Sequence, residues 1–163
     1  MKNVDRFARL FRGLNKAYGA VDLTTKDANG KQKGIYKIVR EPRTKATYVS
    51  HLKGEVSIGV VPINEDNVCI WGAIDIDQYP LDHDEILKNI AKQKLPLIVC
   101  RSKSGGAHLF LFFKDFIEAE KVQLKLKELA SELGYAANTE VFPKQIKLLI
   151  DRGDTGNFLN LPY

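Results

Sequence analysis

Apolar residues recur at helical spacing through residues 4–18. Val4, Phe7, Ala8, Leu10, Phe11, Leu14 and Tyr18 fall on one side, and Arg6, Arg9, Arg12 and Lys16 on the other. This predicts an amphipathic helix stopped by Gly19. Thr24, Thr25, Asp27, Asn29-Gly30 and Gly34 predict a hairpin-like turn or mobile loop over 24–34. Tyr36 to Val39 reads as a short strand broken by Pro42. Thr44 then caps a short helix that reaches His51 or Leu52 and ends at Gly54.

From residue 56 the period changes to that of strands. Val56 to Val60 and Val68 to Ile76 flank the turn Asn64-Glu65-Asp66-Asn67, which predicts a hairpin. A helix follows from Asp82 to Lys92, with Ile86, Leu87 and Ile90 on its apolar face. Leu95 to Cys100 is almost wholly apolar, the pattern of a central strand covered on both faces. Leu109 to Phe113 is a strand, and Glu118 to Leu133 a long helix ended by Gly134. Short strands are predicted at Thr139 to Phe142, Ile146 to Ile150 and Asn157 to Leu161, with a turn at Asp151 to Asp154. Strands mix with helices without strict alternation. The expected class is α+β or mixed α/β, helices packed on a largely antiparallel sheet.

Composition narrows this little. A chain of 163 residues, 44% apolar and 28% charged, suits one globular domain with a sizeable core. No apolar run is long enough to span a membrane, and Met1 to Arg6 has no apolar signal region. Cys69 and Cys100 sit inside apolar runs and read as buried core residues, with neither a zinc pattern nor a disulfide framework. An intracellular, cytoplasmic location is the default expectation.

Charge adds more. The net charge is +5, and its distribution is uneven. Lys26, Lys31, Lys33, Lys37, Arg40, Arg43, Lys45 and Lys53 face only Asp27 and Glu41 over residues 26–53, interleaved with Tyr36 and Tyr48. Cations hold phosphates and aromatic rings stack bases, so this segment is a candidate nucleic-acid contact, or else a solvated face.

The candidate chemistry centres on Trp71-Gly72-Ala73-Ile74-Asp75-Ile76-Asp77. Residues i and i+2 of a strand share a face, which puts both carboxylates on one side, roughly 6–7 Å apart. Two such charges on a half-buried strand repel, and a divalent cation with oxygen ligands relieves them. A strand that merely runs out into solvent shows the same pattern. The second focus is Arg101-Ser102-Lys103-Ser104-Gly105-Gly106-Ala107-His108. Glycines let backbone N–H groups approach an anion, and hydroxyls with Arg101 and Lys103 complete a phosphate cradle; an ordinary Gly-Gly hairpin is the alternative. This is not a P-loop, since the Gly-x-x-x-x-Gly-Lys-Ser/Thr spacing is absent. His108 starts a strand and Asp77 ends one, so adjacent strands would bring them onto one sheet face. Glu140 is a third candidate, with Lys144 and Gln145 as phosphate or base contacts. His51, at a helix end, reads as a carbonyl cap. His83 reads as an exposed helix-start residue with no role.

Taken in order, these stretches resemble one family. Ala73 to Asp77 is similar to the Asp-x-Asp motif of archaeo-eukaryotic primases, the primase-polymerase superfamily. Ser104 to His108, followed by an aromatic strand, resembles its histidine motif, and Glu140 with Phe142-Pro143-Lys144-Gln145 its acidic motif. Phe11-Arg12-Gly13 to Tyr18-Gly19, His51 to Gly54 with Ile58-Gly59-Val60 and Pro62, and Gly156 to Pro162 resemble the branch found in TOTE conflict systems, CRISPR-associated proteins, phages and plasmids. The chain departs from that pattern at Leu14, where relatives often carry Arg, and at Glu140, where many have Asp.

The resemblance implies an RRM-like catalytic core over residues 55–163, after an N-terminal helix and basic segment over 1–54. It implies a single catalytic domain, 1–163, as part of a longer protein. It implies DNA primase-polymerase activity with two Mg²⁺ or Mn²⁺ ions on Asp75, Asp77 and Glu140. Ser104, Gly105, Gly106, His108 and Lys103, with Lys144 and Arg101, would hold a nucleoside triphosphate. Lys37, Arg40, Arg43, Lys45 and Lys53 would guide nucleic acid. The implied partners are a single-stranded DNA template and primer, nucleoside triphosphates and a fused or partner helicase, in a bacterial, archaeal, phage or plasmid setting. A non-catalytic RRM-like binding module and a metal-dependent nuclease are the competing classes.

Overall fold

The strand that ends in the two aspartates, β4 (Val68–Ile76), lies inside a four-stranded antiparallel sheet in the computed structural model, which describes residues 2–22 and 35–163. The predicted turn at 24–34, with Lys26, Lys31 and Lys33, lies outside the described residues. β4 is flanked by β6 (Ala107–Glu118) and β7 (Glu140–Phe142), and β5 (Ile98–Arg101) closes the far edge beside β6. Helix α3 (His83–Gln93) connects β4 to β5, and α4 (Ala119–Glu132) connects β6 to β7. The order β5-β6-β4-β7 with these crossovers is the βαββαβ, RRM-like arrangement. The α+β expectation therefore holds.

A second antiparallel sheet has the order β2-β1-β3-β8, from β1 (Tyr18–Asp22), β2 (Ile35–Val39), β3 (Ser57–Val60) and β8 (Leu159–Asn160). The N-terminal strands thus share a sheet with the last strand, across the expected boundary at residue 54.

Alternation along β4 builds two cores. Ile74 and Ile76 join Leu109, Val122, Leu126 and Leu129 beneath the helices. Trp71 and Ala73 join Phe110, Phe142, Ile58, Val60 and Leu159 between the two sheets. Trp71, Ile74 and Phe110 are essentially inaccessible to water, and each such burial contributes about 1.5–3 kcal/mol. The indole Nε1 donates to the Arg12 carbonyl at 2.7 Å, so the polar atom of this core residue is satisfied.

The capping signal at Thr44 is realised: it caps α2 (Lys45–Leu52) in a reciprocal capping box with Thr47. Asp82, expected as the first residue of its helix, is instead the cap of α3 and accepts from the amides of Asp84 and Glu85.

Four expectations are corrected. Helix α1 spans Lys2–Leu10 and stops well before residue 18, and Tyr18 and Gly19 belong to β1. The Leu14 amide donates to the Val61 carbonyl at 2.9 Å in place of a helical partner. Gly13 permits this, because a Cβ there would stand 2.0 Å from that carbonyl oxygen. Phe11 and Leu14 are buried nonetheless, so the apolar spacing was real but outlasts the helix. Second, β3 and β4 do not form a hairpin. The buried run Val61-Pro62-Ile63 carries the chain from one sheet to the other, and both edges of each strand are taken elsewhere. Third, β5 is an edge strand, with Ile98 56% exposed. Fourth, residues 146–150 form no strand. The Leu148 amide donates to Asn67 Oδ1 and that of Leu149 to Asp154, leading into a 3₁₀ turn at Ile150–Arg152. No helix among the described residues is long and apolar enough to cross a membrane.

Candidate active site

Register decides which side chains meet. Asp75 is the cross-strand partner of His108 on one side and Glu140 on the other, and Cys100 stands beyond His108. Paired residues of an antiparallel sheet share a face, so Cys100, His108, Asp75 and Glu140 form one row. Asp77, two residues past Asp75, continues that face just beyond the strand end. The aromatic floor next to the row is Phe110 and Phe142. The three acids named from the sequence are therefore brought to one end of one sheet face.

Asp75 is the most constrained of them. Its side chain is 13% exposed, and His108 Nε2 approaches its Oδ1 at 3.4 Å. That contact is no hydrogen bond, and Oδ1 is buried without a partner. Burial first, then the charges of Asp77 and Glu140, push its carboxyl up to about 6, against a smaller opposing effect of Lys144. His108 is held below the ordinary imidazole range, chiefly by burial. The charge of Asp77 and a hydrogen bond to the Asn160 backbone oppose that shift.

Asp77 and Glu140 are exposed and carry other partners. Lys144 Nζ lies 2.7 Å from Glu140 Oε2 and 5.1 Å from the centre of the Phe142 ring. The Tyr79 hydroxyl lies 3.1 Å from Asp77 Oδ1 and 2.7 Å from Ser104 Oγ. Its single proton goes to the carboxylate, which can only accept, while the serine hydroxyl can supply its own. Asp75, Asp77, Asn138, Thr139 and Glu140 line one pocket of about 250 Å³. Among the described residues no group of three acidic, imidazole or thiol side chains is already drawn together tightly enough to hold a metal ion.

The glycine loop lies on the other side of Asp77. Ser102 donates its amide to the Gly106 carbonyl at 2.8 Å, and Gly105 donates to Ser102 at 3.1 Å, which closes the loop on itself. A Cβ on Gly106 would stand 2.3 Å from the Ile76 carbonyl oxygen and 3.4 Å from Asp77 Oδ1. Only glycine lets the loop sit this close to the end of β4. The Gly105 amide is taken by Ser102 and does not face outward. Ser104, Lys103 and Arg101 are exposed.

The remaining candidates scatter. Lys37 is exposed on β2, and Arg40 Nη1 donates to the Gly153 carbonyl at 3.1 Å. Arg43 is committed to the protein, donating to Tyr48 Oη and to the carbonyls of Leu14 and Ala17. Lys45 pairs with Asp5 at 2.8 Å, and Lys53 with Glu55 at 3.6 Å. Four of these five have protein partners, none of them one of the three acids.

Two histidines are explained by carbonyls. His51 is buried, with Nδ1 3.3 Å from the Val56 carbonyl and Nε2 3.1 Å from that of Pro162; neither carbonyl belongs to α2, so the ring bridges two other segments instead of capping its helix. His83 differs from its expected lack of a role: its Nε2 lies 3.0 Å from the Gly106 carbonyl and ties α3 to the glycine loop. Sequence reasoning also missed Tyr79 and the Asn160 backbone. Tyr79 stands two residues beyond Asp77, and that offset is the only signal it carries.

The short boxes at the two ends of the chain meet in space. The Phe158 ring lies across the cross-strand pair Gly19 and Gly59, and Leu161 donates its amide to Ile58 at 3.0 Å. Against known families, the model described as TOTE conflict system, Archaeo-Eukaryotic Primase domain, matches residues 21–163. A comparison with curated proteins gave no match.

Proposed function

From the chain's membership of the archaeo-eukaryotic primase family of TOTE conflict systems, we propose that it is a primase-polymerase core, joining nucleotides from nucleoside triphosphates on a DNA template. The observation that carries this is the row His108–Asp75–Glu140 with Asp77 beside it, next to a glycine loop pinned against the same strand end.

The acids suit Mg²⁺ or Mn²⁺. Their donors are hard oxygens, Asp75 Oδ1 is a buried acceptor with no partner, and the charges of Asp77 and Glu140 add to burial in raising the cost of ionising Asp75. Asp75 and Asp77 would hold the metal, and Glu140 would join once Lys144 leaves it. A bound pair of such ions supplies activation of a 3′-hydroxyl and charge neutralisation at the departing pyrophosphate. The rest is done by the chain. Asp75 is kept rigid by the sheet. His108, buried beside Asp75, would meet the triphosphate. Ser104 and Lys103 bind phosphate oxygens from the loop, and Arg101 and Lys144 add cationic contacts. Lys37 and Arg40 remain exposed enough to meet a template strand.

Extension of a labelled primer, with dinucleotide synthesis in parallel, tests this reading. Asp75→Ala/Asp77→Ala, checked for folding, should lose both activities by at least a hundredfold. Wild-type synthesis by that variant would remove the assignment. Cleavage of DNA with Mg²⁺ and no nucleotides would instead mark a nuclease.

A further inference from the structure

A second cationic site is built from α1 and the outer part of β6, and its arginines precede the family match, which begins at residue 21. Arg6, Arg9 and Arg12 border a pocket of about 250 Å³ together with Ile70, Phe112 and Phe113. All three arginines are exposed. Arg6 and Arg9 are three residues apart on α1 and share its outer side. Arg12, just past the helix, folds back so that its Nε donates to the Arg9 carbonyl at 3.0 Å. Its guanidinium stands 5.1 Å from the centre of the Phe116 ring, and that ring is 44% exposed.

The charge here is one-sided. Between Lys2 and Lys16 the only carboxylate is Asp5, and Asp5 is paired with Lys45 at 2.8 Å. Among the described residues, none of the three arginines forms an ion pair. No carboxylate lines the pocket. Unpaired guanidiniums beside one exposed ring, Phe116, and two half-buried ones, Phe112 and Phe113, match a polyanion whose flat bases are unstacked, which is single-stranded nucleic acid. Duplex DNA offers the charge but keeps its bases within the stack.

We infer that α1 and the outer part of β6 form a second binding site, for single-stranded nucleic acid, remote from the acids. Phe112 is four residues along β6 from His108, or about 13 Å at strand rise. The site stands on its own charge and geometry. Only its use, to hold the template strand while the acids act, rests on the reading above.

Anisotropy of a fluorescein-labelled 20-nucleotide single strand, without nucleotide or divalent metal, tests it. Wild-type protein should bind with strong salt dependence. Arg6→Gln/Arg9→Gln/Arg12→Gln should bind at least tenfold more weakly. Losing three phosphate contacts at about 0.7 each should lower the slope of log affinity against log salt by about 2. Phe116→Ala should weaken binding severalfold with the slope unchanged. Should the triple variant unfold, Arg12→Gln and Phe116→Ala decide alone. Wild-type affinity and slope in the charge variants, or equal dependence on these residues for a duplex, would overturn the site. Asp75→Asn/Asp77→Asn separates the two claims, because it should keep this binding. If nucleotidyl transfer is never seen but the arginine effects are, the catalytic reading fails and this site stands. If transfer is normal and the arginine effects are absent, this site alone fails.

Discussion

His108 stands directly across the sheet from Asp75, its Nε2 3.4 Å from a buried carboxylate oxygen that no hydrogen bond satisfies. A neutral imidazole beside an unsatisfied carboxylate leaves the negative charge uncompensated. Leaving that charge buried and unpaired costs stability, and on the proposed function a cation would offset that cost.

The first consequence is measurable without any substrate. Burial and the charges of Asp77 and Glu140 push the Asp75 carboxyl up to about 6, from an ordinary value of about 4. The folded state then binds more protons than the unfolded one between these values. Stability is fully present below about 4 and declines as pH rises through 6. Asp75→Asn removes that decline and should stabilise the metal-free protein at pH 7.5 by about 1–3 kcal/mol. Thermal melts from pH 4 to 8 check this, and a variant less stable than wild type at pH 7.5 contradicts it. Mn²⁺ should raise the wild-type melting temperature and leave that of Asp75→Asn nearly unchanged.

Tyr79 engages the Asp77 oxygen that a metal would use. Removing its hydroxyl takes away a competitor. Tyr79→Phe should lower the Mn²⁺ concentration for half-maximal synthesis about 3–10-fold, as one charge-assisted hydrogen bond allows. A metal requirement that is unchanged or increased would show that the phenol positions Asp77 instead.

Gly106 is where the loop touches β4, and a methyl group there meets the Ile76 carbonyl at 2.3 Å. Gly106→Ala should cost about 1–3 kcal/mol of stability and raise the KM for nucleotide, as the loop backs away from Asp77. Unaltered stability with an unaltered KM would mean that the loop is free to move.

The two buried histidines should separate cleanly. His51→Ala removes a buried ring that lies between the Val56 and Pro162 carbonyls and, when neutral, donates to one of them; it should cost about 2–4 kcal/mol without lowering the activity of the folded fraction. His108→Ala should do the reverse, with synthesis falling at least tenfold and the melting temperature changing little. Denaturant melts paired with primer extension distinguish the two patterns.

Much of this site was legible because strand chemistry is local. Asp75 and Asp77 end an alternating run, and alternation sets a face. Thr44, Gly134 and the spacing of Val122, Leu126 and Leu129 announce helices through caps and period, which also need only neighbours. What failed depended on distant partners. Leu14 reads as helical until its amide meets Val61. Leu148 reads as strand until its amide meets Asn67, 81 residues away. The run Leu95 to Cys100 reads as central, yet its apolar side chains serve an edge. Arg43 looks like a phosphate ligand, and only its three protein acceptors reveal a structural clamp. Tyr79 carries only its two-residue offset from Asp77, and its importance comes from a loop 25 residues later.

The central claim is that Asp75, Asp77 and Glu140 gather divalent metal for nucleotidyl transfer. Anomalous diffraction at the manganese edge, from crystals grown with Mn²⁺ and a nonhydrolysable nucleoside triphosphate, tests it most directly. The prediction is manganese density bonded to Asp75 and Asp77, about 2.0–2.3 Å from their oxygens by analogy with Mg²⁺. Glu140 should turn away from Lys144 towards it, with the triphosphate against Ser104 and Lys103. Nucleotide bound elsewhere, with no manganese between these acids and the Glu140–Lys144 pair intact, would contradict it.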